Sequence, residues 1–177
     1  MKKTIFTYGL ISGAVIAVSV SLSLAMDTSN EHLAGLEWLG YAVMILAFSV
    51  IFVAIKGYRD KELGGVIRFG TAFGIGIAIT GVASVFYVVA WEITLAITDY
   101  AFIEDYTQSL LAAREAAGAT AAELATYAEE MAVMKERYGN PLFRVPITFL
   151  EILPVGLLIT LVSSAVLRNS KVLPADG

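Results

Sequence analysis

The chain has 177 residues, 58 % of them hydrophobic and 16 % charged, with a mean hydropathy of +0.76 and a net charge of −4. A soluble domain carries about 25 % charged and 45–50 % apolar residues, so this balance points to lipid rather than water as the main solvent. The absence of cysteine excludes disulfides and thiolate sites, the single His32 excludes a multi-histidine metal cage, and the acidic balance without a basic stripe argues against nucleic acid.

Four apolar runs are each close to the ~20 residues that cross a ~30 Å hydrocarbon core. The first is Ile5–Met26. Lys2 and Lys3 before it, and Ser23-Leu24-Ala25 at its end, resemble a secretory leader, but the run is longer than a usual leader core, so a retained helix is expected. The second run covers roughly Leu36–Ile55. Lys56 to Gly65 follows and reads as topogenic charge and turn chemistry, with anionic lipid as its simplest contact. The third run starts at Phe69 and reaches about Val89, with an extension to residue 98. None alternates with period 2, and lipid offers no partner to a bare backbone, so all are expected to be helices.

Residues 99–140 change abruptly to Ala, Glu, Tyr and Met, mostly good helix formers. Gly118 divides them, and Thr120-Ala121-Ala122-Glu123 has the spacing of a capping box. Helices are expected from about Asp99 to Ala117 and from Thr120 to Tyr138, stopped by Gly139-Asn140-Pro141. Leu124, Tyr127, Met131, Met134 and Tyr138 share one face of the second; Ile103, Tyr106 and Leu110 share one of the first. An apolar stripe usually packs as core, so the expectation is a hairpin closed on itself, with a docking surface as the sharper alternative. The fourth run, about Thr148–Leu167 within 142–167, completes an all-α integral membrane fold with a helical hairpin between spans three and four.

Orientation follows from the twelve basic residues. Lys2, Lys3, Lys56, Arg59, Lys61, Arg68, Arg168 and Lys171 fall on one side of the spans. Only Arg114, Lys135, Arg137 and Arg144 fall on the other, where Asp27, Glu31, Asp99, Glu104, Asp105, Glu115, Glu123, Glu129, Glu130 and Glu136 also lie. The positive-inside rule then makes both termini cytoplasmic and the hairpin extracytoplasmic. Trp38, Tyr87 and Trp91 count out to the outer boundary, where amphipathic rings gain from the headgroup region.

Small residues form stripes that let helix backbones approach. They are Gly9, Ser12, Gly13, Ser19 and Ser23 (with Ile16) on the first span, Gly70, Gly74, Ala78, Gly81 and Ser84 on the third, and Gly156, Thr160 and Ser163 on the fourth. The glycines from Gly70 to Gly81 are not a phosphate loop, lacking a preceding strand and a lysine. Two acids lie near the spans. Glu92 follows Trp91 at the interface, where water is available; Glu37, beside Trp38, is similar. Glu151 lies about one turn inside the fourth span, between Pro146 and Pro154. Pro154 frees the carbonyl of Leu150, next to that carboxyl. An acid at that depth is either a proton- or cation-linked group or a polar pin bonded to Tyr87, Thr94 or Ser84; a carboxylate pair with Glu92 is also within geometric reach.

Several strings together resemble a bacterial membrane family catalogued as domain of unknown function 4199, over nearly the whole chain. They are Lys2-Lys3 leading to Tyr8-Gly9-Leu10-Ile11-Ser12-Gly13, and Gly40-Tyr41-Ala42-Val43-Met44-Ile45-Leu46-Ala47-Phe48-Ser49 running on to Lys56 and Tyr58-Arg59-Asp60. Asn140-Pro141-Leu142-Phe143 and Thr148-Phe149-Leu150-Glu151-Ile152-Leu153-Pro154-Val155-Gly156 complete the set. The resemblance implies a bacterial inner-membrane location and recurrence of the Glu151–Pro154–Gly156 string in relatives; it brings no activity, substrate or cofactor. The expectation is a non-enzymatic membrane subunit whose hairpin engages a membrane-protein partner or a second copy. The alternative is a small oligomeric proton- or cation-linked transporter using Glu151. An intramembrane enzyme ranks third, since no nucleophile–base set is visible.

Overall fold

The structure, a computed structural model, describes residues 1–25 and 33–175; Met26, Asp27, Glu31 and His32 lie outside the described residues, as do the side chains of Ser23 and Glu37. Six helices form the described chain: α1 Lys2–Ala25, α2 Leu33–Glu62, α3 Phe69–Ile97, α4 Ala101–Ala116, α5 Ala121–Tyr138 and α6 Pro141–Leu167. Of these, α1, α2, α3 and α6 are long and apolar enough to cross a membrane. At 1.5 Å per residue, the 29 residues of α3 reach about 44 Å, more than the hydrocarbon alone requires.

The helix ends follow from local chemistry. α2 continues through Lys56–Glu62, where Lys56 and Asp60 pair one turn apart at 2.6 Å. It ends because Gly64 (φ 64°) and Gly65 (φ 88°) take the left-handed backbone that turns the chain, and the Gly65 N–H donates back to the Arg59 carbonyl at 3.0 Å. Asp99 and Tyr100, also left-handed, turn α3 into α4. At the start of α5, Thr120 accepts from the Glu123 N–H at 3.3 Å while the Glu123 carboxylate takes the Thr120 N–H at 2.8 Å. Asn140 caps α6 by accepting from the Leu142 N–H at 2.9 Å, with Pro141 in the first turn, where its missing donor costs nothing.

In the bundle, α1 packs on α2 and α3, and α6 packs on the same two. The order around it is therefore α1, α3, α6, α2, and the sequential pair α2 and α3 meets lightly across a diagonal. Ile16, Phe48, Ile51, Ile55, Ile75, Ile79 and Ile152 fill the centre. Lipid tails are as apolar as leucine, so the drive to associate is close packing and hydrogen bonding rather than water release. The small-residue faces of α1 and α6 serve that end. A Cβ on Gly9 would meet Val82 at 2.6 Å, and one on Gly13 would meet Phe86 at 2.9 Å. Across the α3–α6 contact, the Thr160 side chain fills the space over Gly76 and Thr80 that over Gly156. The Ser12 hydroxyl lies 2.9 Å from the Ala47 carbonyl, linking α1 to α2.

The stripe expected on the third span is a correction except at Ser84, which is buried. Gly70, Gly74 and Gly81 have no other group within 4 Å of where a Cβ would sit, and the contact face runs instead through Ala72, Gly76, Thr80, Ala83 and Tyr87. Two positions are about 200° around a helix, so Gly74 and Gly76 point to opposite sides.

Candidate functional site

Arg144 and the residues around it form the main polar cluster at the α4–α5 end of the bundle. The Asn140 cap and Pro141 fix where α6 begins, and that start sets its rotation. Arg144, Thr148, Ile152, Gly156 and Thr160, four apart, then fall on the buried face towards α3. Arg144 is 1 % exposed. Its Nε donates to Glu92 Oε1 at 2.7 Å and its Nη2 to Oε2 at 2.6 Å, a two-pronged ion pair between α6 and α3. Nη1 donates to the Tyr138 carbonyl at 2.9 Å, so the same guanidinium holds the last residue of α5.

The Tyr138 hydroxyl accepts from Trp91 Nε1 at 2.7 Å, and the Tyr100 and Tyr138 rings lie 5.3 and 5.7 Å from the Arg144 guanidinium carbon. Burial pushes the Tyr138 phenol above its ordinary range. Trp91 thus turns into the bundle, 6 % exposed, while Trp38 is 77 % exposed on the outside.

Within the helical pair, Glu104 binds Lys135 and the Arg114 guanidinium stacks 3.8 Å over the Tyr127 ring. Lys135, then the Gln108 amide, hold Glu104 below the usual carboxylate range. The Thr120 N–H, then its hydroxyl, do the same for Glu123.

The structure brings Glu92, Trp91 and Tyr87 to this cluster or beside it but separates the two acids. Both Glu92 oxygens are taken by Arg144, so the carboxylate pair with Glu151 does not form. Glu151 sits on the outer surface of the bundle within electrostatic range of the Tyr87 and Tyr138 hydroxyls. The expected pins to Thr94 and Ser84 are absent: Thr94 donates to the Ala90 carbonyl, and the Ser84 hydroxyl is buried without a partner. Pro154 is exposed in an unbroken α6, and Gly156 is a packing position against Thr80. Among the described residues, no three Asp or Glu side chains converge as a metal cage would require.

Two arginines, Arg144 and Arg59, organise the two ends. Arg144 could have been found from its four-residue spacing to Thr148, Gly156 and Thr160. Arg59 had no such signal. It is fully buried, pairs with Asp60 at 2.7 Å, and donates to the carbonyls of Leu167 at 3.4 Å, Val172 at 3.0 Å and Leu173. It therefore straps the segment after α6 to the end of α2.

Residues 7–169 match the family described as Protein of unknown function (DUF4199). The chain belongs to this family. No curated protein and no solved structure matches it. In this DUF4199 chain the matched region takes in the Arg144 cluster, Arg59 with Asp60, all of α2 to α6 and most of α1.

Proposed function

We propose that this DUF4199 protein is a non-enzymatic subunit or scaffold of the bacterial inner membrane. In this reading the four long helices span the bilayer, both termini are cytoplasmic, and the α4–α5 pair stands on the extracytoplasmic side to engage a membrane-protein partner or a second copy. The orientation rests on the eight basic residues at the end opposite α4–α5 against four at that end. The observation that carries the role is on α5. Its 18 residues include none that is buried, although Leu124, Tyr127, Met131 and Met134 form an apolar stripe. Leu124, Tyr127 and Met131 are half-buried and Met134 is exposed, and a stripe only partly covered on a helix fixed to the bundle through Arg144 supports an external contact.

Purification in mild detergent tests this. The protein is expected in a defined complex that is lost when residues 100–138 are replaced by a short linker; a monodisperse monomer unaffected by the swap overturns it. The transporter reading would need neighbouring copies to enclose Glu151, which lies on the outside of the bundle. Proteoliposome flux unchanged by Glu151→Gln removes that alternative.

A further inference from the structure

The chain enters the α4–α5 pair through Asp99 and Tyr100 and leaves it through Gly139 and Asn140. Beyond packing on each other, the two helices meet the bundle chiefly where α5 touches α6, and no residue of α5 is buried. The entry turn is strained. Asp99 (φ 48°) and Tyr100 (φ 59°) are consecutive residues in the left-handed region, where a Cβ crowds the following carbonyl. A helix often ends on one such residue, usually glycine. Here aspartate takes that place, the Tyr100 N–H returns to the Leu95 carbonyl at 2.9 Å, and tyrosine repeats the conformation.

Strain of this kind persists only where surrounding contacts impose it. Those contacts converge on Arg144. Its guanidinium lies 5.3 Å from the Tyr100 ring at the entry turn and donates at 2.9 Å to the Tyr138 carbonyl beside the exit turn. Glu92 anchors the same guanidinium to α3, and Trp91 adds a bond to the Tyr138 hydroxyl. A single side chain tied to α3 therefore closes both ends of a pair that otherwise touches the bundle lightly. We propose that the α4–α5 pair is a latched arm with two positions. The left-handed turn at Asp99 and Tyr100 drives it away from the bundle, and Arg144 on Glu92 holds it seated. Release changes how α5 is displayed, so the latch regulates the docking element proposed above; that use rests on the docking reading, while the hinge itself does not.

The full chain in nanodiscs, with spin labels on paired cysteines at exposed sites, tests the hinge without any partner. Val89→Cys on α3 with Ala121→Cys on α5 reports the arm against the bundle; Asp105→Cys with Ala121→Cys reports the pair internally. Arg144→Met with Glu92→Leu opens the latch and leaves neither charge without its partner. The ratio of released to seated arm should rise about tenfold, the factor carried by one charge-assisted hydrogen bond. It is seen as a second Val89–Ala121 distance while the Asp105–Ala121 distance stays fixed. Adding Asp99→Gly should then lower the ratio about threefold, because glycine takes the left-handed turn without the Cβ clash. Thr98→Gly, at a position of negative φ (−93°), should not. One unchanged Val89–Ala121 distance, an altered Asp105–Ala121 distance, or equal effects of the two glycines overturns the proposal. If a native complex still depends on residues 100–138, the docking reading survives that result; if no such complex exists, the docking reading fails on its own test.

Discussion

Arg144 and Glu92, 52 residues apart in the chain, meet through two parallel hydrogen bonds of 2.7 and 2.6 Å, and the same guanidinium holds the carbonyl that ends α5. One side chain thus fixes α6 to α3 and seats the helical pair on the bundle. Removing either partner leaves a charge without compensation, which costs about 3–5 kcal/mol when the site is buried. Arg144→Ala and Glu92→Ala should each lower the thermal midpoint in detergent strongly. Arg144→Met combined with Glu92→Leu should recover much of the loss, because the coupled desolvation penalty disappears from both sides.

The α3–α6 contact separates glycines that pack from glycines that do not. Gly156→Ala pushes a methyl into Thr80 and should cost about 1–3 kcal/mol in chaotrope unfolding. Gly74→Ala meets nothing and should be neutral or stabilising by up to about 1 kcal/mol through helix propensity. The Thr160 hydroxyl is buried without a partner, so Thr160→Val, which keeps the shape, should be neutral or stabilising.

At the opposite end, Arg59 supplies donors to three main-chain carbonyls of the C-terminal segment. Arg59→Ala should release that segment, seen as faster hydrogen exchange over residues 168–175 with the α4–α5 pair unchanged. Arg59→Lys should also fail to restore protection, since an ammonium on a flexible stem lacks the guanidinium's fork.

The capping box makes the start of α5 sensitive to acid. Hydrogen bonds from Thr120 hold the folded Glu123 carboxyl below its ordinary range. Its contribution is therefore present above the unfolded carboxylate pKa and lost as pH falls through the lower folded value. Proteolytic nicking around Ala119 to Leu124 should rise with acidification in that window, and Glu123→Gln, which keeps much of the box, should flatten the response.

The spans were legible because lipid imposes a long, continuous apolar run, and α5 because Thr120 and Glu123 are three residues apart and act on each other directly. The partner of Arg144 was not legible, since it depends on which faces of α3 and α6 meet. The third-span stripe failed for the same reason: Gly70 and Gly74 are a valid close-approach pair locally, but the bundle order directs the opposite side of α3 inward. Arg59 was hidden because its partners are carbonyls, which every residue carries.

A four-span protein that displays α4 and α5 outside the membrane, as proposed, is directly testable because the chain has no native cysteine. Single cysteines at Ala121 and Lys61 are exposed to a membrane-impermeant thiol reagent on intact spheroplasts. Ala121→Cys is expected to label at once and Lys61→Cys only after permeabilisation; labelling of both from outside, or of Lys61→Cys alone, contradicts this topology.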